Sequence, residues 1–266
     1  MSDPAVQQLR DFVFNNSLQA CGLTILLYDH CLILEQEIRY IWRPRFSLVT
    51  ALYIIAKYLG FVNVCLTSIS LLAPSMIDSL HCRVFQAMNI YIEVIGMAAA
   101  GAILALKAWA VWERNKAVGI GLLLTYTFLL GSALIATTLW FIIAPSTPLT
   151  RTRISCPQDI KSIYAVSYWL MCLLLETIVT CLLLVKGARS YKYRNMMQFF
   201  DVIYTDGLLY YLYMSSLGIT AVILTKVVYP KFLVSLGLPL RTIGFSLVTR
   251  SVLRTRERAL QPPCII

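Results

Sequence analysis

The chain has 266 residues, 59% of them hydrophobic and only 14% charged, with a mean hydropathy of +0.72 and a formal net charge of +10. Such apolarity excludes a disordered chain, and equally a soluble domain that covers one core with charge. The basic balance does not point to nucleic acid, because the Lys and Arg residues sit in short connectors between apolar runs, as the positive-inside bias of a membrane protein requires.

Apolar stretches of about twenty residues, the length a bilayer core demands of a helix, recur from Leu18 to Thr249. The residues ahead of them are polar and of mixed charge, with Asp3, Arg10 and Asp11. They lack the basic leader and cleavage site of a signal peptide, so the first span is expected to direct its own insertion. That first run, Leu18 to Leu34, is interrupted by Asp29 and His30, and "EQEIRYIWRPR" follows it as a connector. The second run, Leu48 to Leu66, carries Lys57 near its centre, and the loop after it holds Pro74, His81 and Cys82. The third, Val84 to Leu106, holds Glu93 and leads into "KAWAVWERNK". The fourth is Ala117 to Ile143, and a longer loop with Arg151, Arg153 and Cys156 separates it from the fifth, Ile163 to Val185, which contains Glu176. The sixth is Gly207 to Val228. The last, Phe232 to Thr249, contains Pro239 and Arg241, and a basic tail from about 250 to 266 closes the chain. Strand-like alternation over about ten residues, the mark of a β-barrel, is absent.

The fold class expected is therefore all-α: one polytopic membrane domain over residues 1–266 with seven transmembrane helices, six plus an interfacial C-terminal helix being the alternative. With seven spans and the N-terminus outside, the inner connectors and tail hold Arg39, Arg43, Arg45, Lys107, Arg114, Lys116, Lys186, Arg189, Lys192, Arg194, Arg250, Arg254, Arg256 and Arg258. The outer side holds half as many: Arg10, Arg83, Arg151, Arg153, Lys161, Lys226 and Lys231. This asymmetry predicts N-out and C-in. With an interfacial last helix the Arg-rich tail falls on the wrong side.

Cys21, Cys31, Cys65, Cys172 and Cys181 lie in apolar runs, where cysteine behaves as a small hydrophobe. Cys82 and Cys156 lie in the two loops placed outside, in the oxidising compartment, and are expected to form a disulfide that pins the longer loop over the bundle. Asp29, Lys57, Glu93 and Glu176 form a candidate intramembrane charge site, since ionisable groups in a span are costly and often functional. Asp29 and Lys57 lie at similar depths on antiparallel neighbours, at about 1.5 Å of rise per residue, and are expected to pair. The two histidines, His30 and His81, are far apart in sequence, and no metal-ligand motif, phosphate-cradling glycine loop or nucleophile–His–acid set occurs. The chain reads as a non-enzyme without catalytic residue, cofactor or metal. Gly96 with Ala100 reads as close helix packing. Trp109, Trp112, Trp140 and Trp169 read as interfacial anchors.

The segment "YDHCLILEQEIRYIWRPRFSLVTALYIIAKY" carries a pattern: Tyr28-Asp29, Leu34, Glu37, Ile41-Trp42, Ser47-Leu48 and a basic–Tyr pair, Lys57-Tyr58. In this pattern the chain resembles the basidiomycete multi-spanning membrane proteins that carry an N-terminal domain of unknown function of the 6533 type, here about residues 21–67. Where that family has Arg-Tyr, this chain has Lys57-Tyr58. "LKAWAVWERNK" resembles the family's segment after the third helix, and "TRSVLRTRE" its Arg-rich final helix. "YTDGLLYYLYM" is similar to its Arg-Asp-Gly element, with Thr205 in place of the Arg and Tyr211 in place of a Phe. The resemblance implies a fungal integral membrane protein and brings no activity with it.

Layout suggests a function class: a short outer N-terminus, a Cys82–Cys156 clasp, three basic inner connectors where a cytosolic protein partner would dock, and a basic tail. This is the layout of a seven-helix receptor-like sensor, an analogy at the level of fold. The alternatives are a small transporter or channel working through the intramembrane acids, and a membrane scaffold without a ligand. The lipid bilayer, in plasma membrane or endomembrane, is the partner common to all three.

Overall fold

The computed structural model describes residues 4–72, 79–143, 162–193 and 230–260, with scattered positions between 213 and 223. The described residues are helical apart from short connectors, and no strand occurs among them. In chain order the elements are α1 (Pro4–Glu37), a π-helical turn (Ile38–Trp42), α2 (Leu48–Leu72), α3 (Ser79–Val111), α4 (Lys116–Ile143), α5 (Ser162–Tyr193) and α6 (Pro230–Leu260). The described positions between 213 and 223 are helical as well. Among the described residues, four helices hold segments long and apolar enough to cross a membrane: Asn16–Trp42, Leu48–Ile69, Val84–Val111 and Lys116–Leu139.

The first helix departs most from expectation. It starts at Pro4, whose missing N–H and fixed φ suit a first helical position, and it does not stop at Leu34. The stretch "EQEIRYIW" continues it, because it contains no Gly or Pro and because Tyr40 and Ile41 are buried by tertiary packing. The ladder widens into one π turn, closed by Arg43 N–H donating to the Ile38 carbonyl at 3.3 Å, and Pro44 then ends the helix. Ser47 opens α2: its Oγ accepts from the Thr50 N–H at 3.3 Å, as an N-cap does. Pro239 lies within α6.

Between α3 and α4 the chain reverses within four residues. Glu113 and Arg114 take left-handed φ values of 54° and 57°. Glu113 N–H donates to the Ala110 carbonyl and Arg114 N–H to the Trp109 carbonyl, a Schellman closure with glutamate where glycine is usual. Asn115 then caps α4 through its Oδ1, which accepts from Ala117 N–H at 2.9 Å. The turn is tied to α5: Trp112 Nε1 donates to the Leu182 carbonyl at 3.1 Å, and Lys186 bonds Glu113 at 2.8 Å. That hydrogen bond holds the Glu113 carboxyl below its ordinary range. The tie is therefore present at neutral pH and is lost as pH falls through the lowered value.

α3 is the centre of the bundle, packed against α2, α4, α5 and α6. α6 lies along α1 and also touches α2, so the last helix closes the bundle against the first. The core comprises Ile33, Tyr40, Ile41 and Tyr53 with Ala99, Ala100, Ile103, Ala108, Val179, Val248 and Val252. The alanines let the α3 backbone approach its neighbours, the packing mode available where lipid competes for apolar surface. Uncharged hydrogen bonds add to it. Asn63 Nδ2 donates to Asn89 Oδ1 at 2.9 Å, Asn89 Nδ2 to Thr67 Oγ1 at 2.9 Å, and Tyr126 donates to the Ala98 carbonyl at 2.6 Å. Leu123, Phe128, Ile135 and Ile142 on α4 are exposed, as a lipid-facing stripe must be.

Phe245 of α6 seats on Gly60, where an added Cβ would meet its ring at 3.3 Å. Gly60→Val is expected to push α6 outward and cost about 1–3 kcal/mol, read as a lower unfolding midpoint in detergent. Arg114→Gly is expected to relieve a left-handed residue and raise that midpoint, by up to about 1 kcal/mol.

Candidate functional site

The intramembrane charges are not arranged as the sequence suggested. Lys57 does not take Asp29 as its counter-ion. Its Nζ hydrogen-bonds Glu37 Oε2, and both side chains are almost wholly buried. Asp29 is buried too, and its Oδ1 accepts from Arg250 Nε of α6 at 2.6 Å. The reason lies in α1. Because the helix continues through the π turn, Glu37 is an interior residue of a helix rather than part of a loop, and it reaches Lys57 from the neighbouring α2.

Glu37 is the hub. It is fully excluded from solvent, at 0% exposure. Its Oε1 accepts from the Tyr58 hydroxyl at 3.3 Å, and His30 Nδ1 stands 3.9 Å from its Oε2. The His30 ring meets Phe61 edge-on at 5.1 Å, and Trp42 meets Tyr58 edge-on at 6.4 Å. Lys57 Nζ also lies 5.8 Å from the ring centre of Tyr53, a residue of 0% exposure. A carboxylate and an ammonium placed in a low dielectric are sustainable only when each is paired and hydrogen-bonded. The cluster supplies the pairing, and Tyr58 supplies a further hydrogen bond.

A second set of contacts brings in the last helix. Arg256 Nη1 donates to the Tyr40 carbonyl at 2.7 Å, and Nη2 donates to Ser47 Oγ at 2.9 Å and Thr50 Oγ1 at 2.8 Å. The Tyr40 carbonyl belongs to the π turn, where the normal helical acceptor pattern is disturbed and a carbonyl is open to an outside donor. Lys107 of α3 donates to Ser251 of α6 at 2.6 Å. One end of α6 is thus clasped to α1, α2 and α3 through charged side chains.

Glu93 is buried on α3 and has interactions of its own, but it belongs to neither ion pair. Glu176 of α5 is half-buried and faces Gly218, where an added Cβ would lie 3.7 Å from its Oε2. That oxygen has no hydrogen-bond partner among the described residues. The four residues expected to form one site are therefore divided among two ion pairs, α3 and α5. Cys156 lies outside the described residues, as does the side chain of Cys82, so the expected bridge falls there as well. Cys21, Cys31, Cys65 and Cys181 are free thiols at the helix surface. Among the described residues, no group of His, Cys, Asp and Glu is placed to hold a metal ion.

Glu37, Arg250 and Arg256 were missed as site residues because each was assigned to a connector or a tail. A signal for one of them was present: Glu37 and Lys57-Tyr58 were the acid and the basic–Tyr pair of the quoted pattern, and they prove to be in contact. Residues 17–62 match the model of a family of unknown function (DUF6533). That span covers α1 from its middle, the π turn and most of α2, and so includes Asp29, His30, Glu37, Lys57 and Tyr58. No curated protein and no solved structure matches the chain.

Breaking the buried pair from either side strands a charge. Lys57→Met and Glu37→Gln are each expected to destabilise by about 3–5 kcal/mol, and the double variant by clearly less than their sum. Asp29→Asn combined with Lys57→Met is expected to be additive. A strong Asp29–Lys57 coupling in the same thermal-unfolding cycle would contradict the observed pairing.

Proposed function

We infer that this chain is a seven-span integral membrane protein of receptor-like, signal-transducing type, with its N-terminus outside and its basic C-terminal helix inside. The observation that carries the reading is the clasp: the last helix is held to the first two by Asp29–Arg250 and by the Arg256 hydrogen bonds, next to the basic connector and tail. A sensor needs an element with two arrangements whose balance a ligand shifts. An ion pair that joins the last helix to the first, with Arg250 still partly exposed, suits such an element. A central third helix and a last helix closing on the first are also the layout of seven-helix receptors, a fold-level analogy. The contacts of Lys107, Arg250 and Arg256 join α6 to α1 and α3, and that of Lys186 joins α5 to the α3–α4 turn, in keeping with a common inner side for the basic residues of these connectors. The same reading makes the chain a member of a fungal multi-spanning family, and Cys82–Cys156 an outer clasp that unreduced peptide mapping would reveal as one linked species.

Transport is the second reading, and Glu176 is the observation that favours it, as a carboxyl within a helix whose Oε2 has no partner among the described residues. Asp29 and Lys57 do not add to it, since each is engaged in an ion pair.

Reporter tags on the two termini are expected on opposite sides of the membrane, and a common side would refute seven spans. Genetically encoded spin labels at Phe46 and Thr255 test the sensor. Two interconverting distances are expected, with the longer one gaining population in Asp29→Asn. A single narrow distance in both proteins would favour the scaffold, and proton- or cation-dependent flux abolished by Glu176→Gln would favour transport.

A further inference from the structure

We propose that the junction of the α1–α2 connector with the end of α6 is a binding surface for the headgroups of anionic phospholipids. Three observations converge. First, the acids that could neutralise this end of the bundle are largely taken up by other cations: Glu37 on Lys57 and Asp29 on Arg250 within it, and Glu113 on Lys186 at its surface. Four guanidinium groups, Arg39, Arg43, Arg45 and Arg254, are exposed and have no carboxylate partner among the described residues, against two unpaired acids nearby, Glu35 and Glu257. Secondly, the contacts of Arg256 bring the two segments together. By reaching the Tyr40 carbonyl and Ser47, Arg256 holds the end of α6, which also carries the exposed Arg254, against the connector that carries Arg43 and Arg45. Thirdly, aromatic side chains alternate with these arginines. Trp42 and Phe46 are 54% and 76% exposed, and the Arg39 guanidinium lies 5.6 Å from the ring centre of Tyr40.

This combination fits a headgroup layer. Exposed Trp and Phe settle at the level where apolar chains meet polar headgroups. Arginine donates to phosphate in a planar, two-pronged geometry, and basic residues held at an anionic surface are each attracted to it. The π turn contributes by its register: it buries Tyr40 and Ile41 while Arg39, Trp42 and Arg43 stay outside. The surface needs only that this end of the bundle meets a headgroup layer, so it stands independently of the receptor reading.

The test uses the full chain, delipidated in detergent and returned to phosphatidylcholine nanodiscs containing phosphatidylinositol phosphate or phosphatidylserine. Retained lipid is counted by native mass spectrometry. The triple variant Arg43→Gln, Arg45→Gln, Arg254→Gln alters exposed side chains that make no described side-chain hydrogen bond. It is expected to lose anionic lipid by about a hundredfold in affinity, at roughly fivefold per basic residue. Phosphatidylcholine retention should not change. Arg114→Gln with Lys116→Gln, at the α3–α4 turn, is the control and is expected to leave retention within about twofold. Equal retention by the triple variant and the unaltered chain, or an equal loss in the control, would overturn the proposal. A photoactivatable anionic lipid on the unaltered chain gives a second reading that needs no variant. Adducts are expected on residues 38–47 and around Arg254, and adducts spread evenly along the lipid-facing stripe of α4 would refute the site.

Discussion

The arrangement of this protein rests on one constraint: a carboxylate and an ammonium buried at the interface of two apolar helices must find each other. Glu37 and Lys57 are both shielded from solvent, and neither could remain charged alone in such surroundings. Their contact has consequences beyond the pair. It requires α1 to remain helical past the end of its apolar run, so that Glu37 faces α2. It places Tyr58 where its hydroxyl completes the carboxylate's hydrogen bonding. It also brings Tyr40 and Ile41 inward, and the extra residue of the π turn lets the helix do this while keeping Arg39 and Trp42 outside.

The rest of the bundle is assembled mostly without charge. In a bilayer, apolar side chains gain little by leaving lipid for one another, so association depends on close packing and on hydrogen bonds between helices. α3 shows both, with Ala99, Ala100 and Ala108 buried in the core and Asn89 bonded to Asn63 and Thr67 of α2. α6 is treated differently. One part of it is seated by shape, with Phe245 on Gly60 and Gly96, and the part that follows is held by Arg250 and Arg256. Shape holds the helix firmly, whereas an ion pair with a partly exposed partner is sensitive to its surroundings. That contrast is the physical basis for regarding the end of α6 as the element whose position is adjustable.

The same end carries the excess positive charge. Because Arg250 and Lys57 take up Asp29 and Glu37, the arginines of the connector have no carboxylate partner among the described residues. The interior pairing and the basic surface are therefore two aspects of one charge distribution: Asp29 and Glu37 each matched to a cation, and surplus guanidinium groups at the rim. The helix end proposed to shift and the surface proposed to hold lipid meet at Arg256, which bonds the π turn on one side and the α2 cap on the other.

Composition and the spacing of apolar runs determined by themselves that the chain is helical and that it contains membrane-length segments, since both follow from the length of a bilayer core and from the cost of unpaired backbone groups within it. The α2 and α4 starts, the cluster of basic residues at one end and the presence of costly charges inside were legible for the same reason. The identity of the partners was not. Depth along antiparallel helices paired Asp29 with Lys57, but depth says nothing of the direction in which a side chain leaves its helix, and each residue along α1 turns that direction by about 100°. The end of α1 was equally hidden, because "EQEIRYIW" is polar enough to read as a loop until Tyr40 and Ile41 find a core to enter. Arg250 and Arg256 lie more than 200 residues from Asp29 and Ser47. Only the tertiary structure, by laying the last helix along the first, decided which charges would share a dielectric low enough to bind them together.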